Sequence, residues 1–163
     1  MSNVTRRTFN KFLGAGAGVM AMPGILRAQG RKNVVIVGGG AGGATVARHL
    51  AEKAGEAINI TLIEDSEKYT TCFFSNLYLG GYRDFASITH GYDRLVNDFG
   101  IRKVTARAEE IDRTAHQVRT STGETIPYDR LVLSPGIDLI FDSVPGYSAE
   151  LAEIAPHAWQ AGP

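Results

Sequence analysis

A run of six small residues is the first feature of the sequence that could do chemistry. Residues 38–43 read Gly-Gly-Gly-Ala-Gly-Gly, and within them Gly38, Gly40 and Gly43 fit the spacing G-x-G-x-x-G. In that pattern the first glycine permits a tight turn, the second lets the backbone approach a pyrophosphate, and the third lets a helix pack on a strand. The start of such a helix also offers free N–H groups and partial positive charge to phosphate. The segment therefore predicts a dinucleotide-binding bend.

An acidic residue stands where this pattern needs one. Glu64 lies 21 residues beyond Gly43, at the distance where a carboxylate hydrogen-bonds a ribose hydroxyl. A carboxylate there would repel a 2′-phosphate, so Glu64 favours FAD or NAD over NADP. The alternative is a glycine-rich turn that holds no ligand.

The elements around these residues have the order that the pattern requires. Residues 33–37 are short, β-branched and apolar, as in a strand of a parallel sheet that is covered on both faces. We expect a helix over 44–54 and a second strand over 58–63 that ends at Glu64. Together these segments predict a β-α-β unit.

The second half of the chain separates FAD from NAD. Three short alternating strands are expected at 104–111, 116–120 and 124–128, with a turn at 121–123. A further buried strand follows and ends at Ser134-Pro135-Gly136. An antiparallel excursion followed by Y-D-x-L-V-L-x-x-G resembles the FAD domain of flavoproteins with two dinucleotide-binding domains. Their usual ending is Ala-Thr-Gly; this chain departs from it but keeps the glycine, so the resemblance places Gly136 at the cofactor.

The predicted fold class is therefore α/β. It consists of a Rossmann-like parallel sheet with an antiparallel three-stranded excursion, the first half of an FAD-binding domain. The sequence predicts this domain over residues 31–137. Residues 138–163, with a turn at Pro145-Gly146, are interpreted as the start of a second nucleotide-binding-like domain that is cut short.

The single cysteine, Cys72, lies in an aromatic-rich loop over residues 69–81. This loop leaves the carboxyl end of a strand, which is the sheet edge where ligands bind. One cysteine cannot form an internal disulfide. From its residue type alone, two roles stay open for Cys72: redox chemistry and a buried structural thiol.

At this point the chain resembles the flavoprotein subunit of flavocytochrome c sulfide dehydrogenase. The segments that carry the resemblance are residues 34–47, 69–81, 88–93, 128–138 and 156–162. The resemblance implies a thioether between Cys72 and the 8α-methyl group of FAD. It also implies sulfide oxidation at a redox-active disulfide whose cysteines would lie beyond Pro163, and electron transfer to a c-type cytochrome. Catalytic residues within this chain remain unknown.

Residues 1–28 are expected to be an export signal of the bacterial Tat type rather than part of the fold. They contain the pair Arg6-Arg7, an apolar run over 12–22 and a small-residue end at Ala28. The run of about eleven residues is shorter than the roughly 20 that span a bilayer. The alternatives are an amphipathic helix or an uncleaved anchor. The Tat interpretation predicts a periplasmic protein without stable membrane insertion.

Composition bounds the remaining functions. Residues 1–28 contain four of the 17 basic residues and no acidic ones, so the rest of the chain has 13 basic against 17 acidic residues, a net charge of −4. This balance argues against a nucleic-acid surface, and no spacing suggests a metal site. Two alternatives to the sulfide dehydrogenase remain: a sulfide:quinone or NADH:quinone oxidoreductase, and a non-catalytic FAD-binding piece. We expect the chain alone to be inactive.

Overall fold

A computed structural model describes residues 30–159 of the chain. The expected export signal lies outside these residues, as does the end of the segment 156–162. The first elements are β1 (Lys32–Val37), α1 (Ala41–Ala54), a short 3-10 helix (Gly55–Ala57) and β2 (Ile58–Glu64). They form the predicted β-α-β unit, and α1 begins three residues earlier than expected.

Twelve further elements follow in the described part of the chain. They are β3 (Lys68–Thr70), α2 (Ser75–Leu79), a 3-10 helix (Phe85–Ile88), β4 (Thr89–Gly91), α3 (Asp93–Asn97), β5 (Arg102–Thr105), β6 (Ala108–Asp112), β7 (Gln117–Thr120), β8 (Thr125–Pro127), β9 (Arg130–Leu133), a 3-10 helix (Phe141–Ser143) and α4 (Ala149–Ile154). Among residues 30–159, no helix is both long and apolar enough to cross a membrane.

The strands form three sheets. The main sheet is parallel and has the order β5-β2-β1-β9. Strands β6, β7 and β8 form an antiparallel sheet, and β3 pairs with β4 as an antiparallel ladder. The predicted fold class is confirmed, including the antiparallel excursion of three strands.

One strand boundary was predicted wrongly. The single strand expected over 104–111 is two strands, because β5 belongs to the parallel sheet and β6 to the antiparallel one. Apolar and polar residues alternate across the junction of the two strands, from Val104 through Ala106 to Ala108. Since side-chain alternation is the signal for a strand, the sequence gives no sign that the chain changes sheets near Arg107.

Both faces of the parallel sheet are covered. On one face Val34, Ile36 and Leu62 pack with Ala47 of α1. On the other face Val35 and Ile63 pack with residues of the antiparallel sheet such as Val118 and Ile126. Neighbouring residues of a strand point to opposite faces, and because both faces are covered, both sets of side chains are buried. This explains why β1 and β2 are nearly continuous apolar runs.

Residues 138–159 include the expected turn at Pro145-Gly146, where Gly146 has φ +83°. The described part of this segment contains a 3-10 helix and α4 but no strand. Its assignment to a second domain stays a prediction.

Asp129 ties the start of β9 to the start of β1. Its carboxylate accepts a hydrogen bond from the backbone N–H of Asn33 at 2.8 Å and one from Lys32 Nζ at 3.0 Å. The backbone N–H of Asp129 in turn donates to the Asn33 carbonyl at 2.8 Å. The Asn33 N–H, and secondarily Lys32, lower the pKa of Asp129 below its ordinary value.

This pairing makes stability depend on pH. A carboxyl whose pKa is lowered by folding contributes stability above its unfolded pKa of about 3.9, and that contribution is lost as the pH falls through the folded value. We therefore expect the free energy of unfolding, measured by urea titration, to fall more steeply below about pH 4 for the wild type than for Asp129→Asn. Glu153→Gln, which changes an exposed carboxylate on α4, is the control. Equal pH slopes for the wild type and Asp129→Asn would contradict this assignment.

Candidate functional site

The glycine bend lies at the carboxyl edge of the parallel sheet, between β1 and α1. Gly38 has φ +94°, and a Cβ added there would lie 1.9 Å from the carbonyl oxygen of Ser134. A Cβ added at Gly43 would lie 1.8 Å from the carbonyl oxygen of Gly38. Both contacts are with backbone, which cannot move aside easily. The protein itself therefore requires glycine at these two positions.

Gly40 is glycine for a different reason. Its φ of −65° and ψ of −168° are open to any residue, and it is the N-cap of α1. An added Cβ would come no closer than 3.5 Å to any other protein atom, the nearest being on the Tyr69 ring. No side chain caps the start of this 14-residue helix. A glycine that the fold does not need, beside an uncapped helix N-terminus, fits a site where an anion approaches the backbone.

Gly39, which is not among the predicted site residues, is held from two sides. Its N–H donates to Glu64 Oε2 at 2.6 Å, and its carbonyl accepts a hydrogen bond from the Tyr92 hydroxyl at 3.0 Å. A Cβ at Gly39 would lie 2.7 Å from Tyr92 Oη and 2.9 Å from Glu64 Cγ. We call this arrangement the Gly39 clamp: Glu64, Gly39 and Tyr92. It fixes the orientation of the peptide groups in the middle of the bend.

Glu64 ends β2 beside the bend, as expected, but it also supports the protein. Its Oε1 accepts a hydrogen bond from the Ser66 N–H at 3.1 Å, in addition to the bond from Gly39. An ionised carboxylate has about four acceptor positions. Two are used here, and the side chain is only half-buried. Glu64 can therefore hold the bend and still accept hydrogen bonds from ribose hydroxyls.

Tyr92 is not a predicted site residue, and it belongs only to the segment 88–93 that contributes to the family resemblance. It precedes α3 and is buried. Burial, and secondarily the negative charge of Glu64, raise the pKa of Tyr92 well above its ordinary value. The hydroxyl is thus a protonated donor to Gly39 at neutral pH. Residues 39 and 92 are 53 positions apart, and no local spacing rule could have paired them.

Three of the predicted site residues line one cavity of about 500 Å³. Gly40, Cys72 and Gly136 all contribute to its wall, together with Tyr69, Phe73 and Trp159. Gly38, Gly43 and Glu64 are not among its lining residues. The structure therefore divides the predicted set into a group that borders the cavity and a group that shapes the bend beside it.

The Cys72 loop is held by its neighbours. Thr71 is buried, its N–H donates to the Ile88 carbonyl at 2.9 Å, and its hydroxyl accepts from the Phe73 N–H at 3.1 Å. Cys72 is a half-buried free thiol. The loop follows β3, whose pairing with β4 was not predicted. The β3–β4 ladder fixes the position from which the Cys72 loop runs toward the cavity.

A second cavity of about 640 Å³ lies at the opposite, amino edge of the sheet. It is lined by residues such as Asn33, Asn59 and Arg102, and it includes neither the glycine bend nor Cys72. Ligands of open parallel sheets bind at the carboxyl edge. The smaller cavity is therefore the candidate site. Within residues 30–159 no group of three or more His, Cys, Asp or Glu residues could hold a metal ion.

Comparison with known proteins assigns the family. Residues 32–158 match the model of the pyridine nucleotide-disulphide oxidoreductases. The chain belongs to this family. Membership in the pyridine nucleotide-disulphide oxidoreductases implies FAD binding, and the bend, the uncapped helix and the half-buried Glu64 fit a dinucleotide.

Individual members of the family are similar over different lengths. The sulfide-quinone reductase of Aquifex aeolicus is 37% identical over 111 residues, which cover 68% of this chain and 25% of that protein. The flavoprotein chain of the flavocytochrome c sulfide dehydrogenase of Chlorobaculum thiosulfatiphilum is 49% identical over 47 residues, 29% of this chain and 96% of that sequence.

A solved structure supports the same grouping. The sulfide:quinone oxidoreductase from Aquifex aeolicus superposes with a TM-score of 0.61 at 33% identity, over 68% of this chain and 25% of that one. The chain thus spans about a quarter of the length of its Aquifex relative.

The contact between Gly38 and Ser134 can be tested with a matched pair. Gly38 and Gly123 both have positive φ, but a Cβ at Gly123 would meet no atom within 4 Å. Gly123→Ala should therefore cost only the left-handed strain, about 1–2 kcal/mol. Gly38→Ala adds a backbone clash and should lose clearly more free energy of unfolding in urea titrations. Equal losses for the two variants would show that the contact with Ser134 adds nothing to the need for glycine at 38.

Proposed function

We propose that this chain is the FAD-binding part of a flavin-dependent oxidoreductase that oxidises sulfide and passes the electrons to a c-type cytochrome. The observation that carries the proposal is the cavity where the Gly40 bend, Cys72 and Gly136 meet. The family supports FAD as the cofactor.

The strand order predicts how the dinucleotide would lie. Glu64 ends β2, the bend follows β1, and Gly136 lies three residues beyond the end of β9. These three strands are neighbours in the order β2-β1-β9, about 4.8 Å apart. An extended ligand crossing their carboxyl ends would meet the ribose-binding carboxylate first, then the diphosphate-binding bend, and then the cavity with Cys72. The adenosine end would lie at Glu64 and the flavin ring in the cavity.

Within that arrangement each residue has a defined task. The N–H groups at the start of α1, left open by Gly40, would hold the diphosphate. Glu64 would accept hydrogen bonds from ribose hydroxyls while it holds Gly39. The apolar walls of the cavity would keep water from the ring. When bound, FAD supplies the ability to accept two electrons as a pair and release them one at a time.

Cys72 is the proposed attachment point for the flavin. The thiol would lose its proton, and its sulfur would form one C–S bond to the 8α-carbon in place of one C–H bond. This exchange is a two-electron oxidation, for which bound FAD would supply the oxidant. The bond would prevent loss of FAD from an exported protein. Export through the Tat signal of residues 1–28, and hence a periplasmic location, are part of this proposal.

Support for sulfide as donor comes from the named relatives. Both the Aquifex and the Chlorobaculum proteins are named for sulfide oxidation. The 49% identity to the flavocytochrome c relative favours cytochrome c as the acceptor, although it extends over only 47 residues. The longer match to the Aquifex protein favours a second candidate, a sulfide:quinone oxidoreductase.

The covalent bond separates the two candidates. We expect the purified full-length wild-type protein to keep its yellow colour on the polypeptide after acid denaturation, and Cys72→Ala to release all of its flavin into the supernatant. Ser134→Ala, which changes another residue of the cavity wall, should retain the colour and is the control. The measurement is the flavin absorbance of pellet and supernatant. Complete release from the wild type would defeat covalent attachment and leave the quinone-type function.

A further inference from the structure

Ser75 is a buried hydroxyl whose role the proposed function does not include. It is only 1% exposed, and its Oγ contacts two carbonyl oxygens. One belongs to Cys72, at 2.7 Å, and the other to Ala158, 83 residues further along the chain. A hydroxyl has one proton, so the two carbonyls share a single donor.

We propose that Ser75 is a positioning residue that fastens the segment 156–159 to the Cys72 loop, so that the thiol and the Trp159 indole border the same cavity. This inference rests on the proposed function, since it concerns how the flavin end of that site is built. In the protein it predicts that Trp159 lies against the bound flavin ring and that Cys72 is kept in place for attachment.

The Cys72 loop depends on such a fixed point. Phe74 has φ +64°, a left-handed conformation that is uncommon for residues other than glycine, and it is 60% exposed. A strained residue persists when its surroundings hold it. On one side the loop is held by Thr71, whose backbone N–H donates to the Ile88 carbonyl. On the other side Ser75 holds it, by the bonds of its hydroxyl and its N–H to the Cys72 carbonyl.

The segment 156–159 depends on the same hydroxyl. Just before this segment the Tyr147 hydroxyl donates to the Ala155 carbonyl at 2.9 Å. Within the segment the backbone N–H of Trp159 donates to His157 Nδ1 at 3.1 Å. Among the hydrogen bonds of residues 30–159, the Ser75 hydroxyl supplies the link between this segment and the Cys72 loop. Trp159 is 61% exposed, so packing alone does not hold it at the cavity.

The test compares Ser75→Ala with a matched control in the full-length protein. Ser87 also donates its hydroxyl to the carbonyl three residues earlier, at 2.7 Å, but in an exposed turn. Two readouts are taken. The first is quenching of Trp159 emission on addition of FAD in a Cys72→Ala background, where no flavin is attached beforehand, isolated by subtracting the Trp159→Phe variant. The second is the flavin retained on the tryptic peptide 69–83, which contains Cys72.

We expect Ser75→Ala to lower both the quenching and the rate of flavin attachment by about two- to tenfold, the size of effect that loss of one hydrogen bond gives. Ser87→Ala should leave both unchanged. Ser75→Thr keeps a hydroxyl and should restore most of the effect, which separates loss of the hydrogen bond from general damage at a buried position. Unchanged quenching and attachment in Ser75→Ala would overturn the inference, as would unquenched Trp159 emission in a protein that keeps Ser75 and has bound FAD.

Failure of the proposed function gives a different pattern. If the wild type binds FAD but releases all of it on denaturation, covalent attachment fails and quenching alone decides the role of Ser75. If the wild type binds no FAD, the rate of Cys72 alkylation by iodoacetamide decides it. Faster alkylation in Ser75→Ala than in the wild type supports the role of Ser75, and equal rates overturn it.

Discussion

The peptide of Gly39 is the point on which the site depends. A carboxylate accepts its N–H at 2.6 Å and a buried phenol donates to its carbonyl at 3.0 Å. Hydrogen bonds to an ionised acceptor are among the stronger ones in proteins. Because β1 ends one residue before Gly38 and α1 begins one residue after Gly40, the clamp sets the direction in which the helix starts. It thereby decides where the uncapped N–H groups of α1 point, and these are the groups that a diphosphate would meet.

The five glycines of the bend divide into two kinds. Gly38, Gly39 and Gly43 are required by the protein, since a Cβ at each would lie within 3 Å of another protein atom. Gly40 and Gly42 are different, because the protein leaves room for a side chain at both positions. A motif that looks uniform in sequence therefore combines glycines that the fold requires with glycines at which a side chain would fit. Glu64 has two tasks in this site, because its carboxylate holds Gly39 and would also bind the ribose.

The sequence predicted the parts of the site that depend on local spacing. The bend, the carboxylate after β2 and the glycine after β9 each follow a strand, and the parallel order brings their carboxyl ends to one edge. Pairings between distant residues could not be predicted. Tyr92 reaches Gly39 across 53 positions and Ser75 reaches Ala158 across 83. The division between β5 and β6 was also hidden, because apolar and polar residues alternate across their junction, from Val104 to Ala108.

Gly40 offers the most direct measurement of the central claim, that a diphosphate rests on the bend. At Gly40 and at Gly91 alike an added Cβ would come no closer than 3.5 Å to other protein atoms, but only Gly40 borders the cavity. FAD affinity should be measured for both alanine variants by titration in a Cys72→Ala background, where the flavin stays unattached, with urea unfolding as a check on the fold. The account predicts that both variants fold, that Gly91→Ala binds FAD like the wild type, and that Gly40→Ala binds it at least about tenfold more weakly, a loss of about 1.4 kcal/mol. Wild-type affinity in a folded Gly40→Ala protein would contradict it.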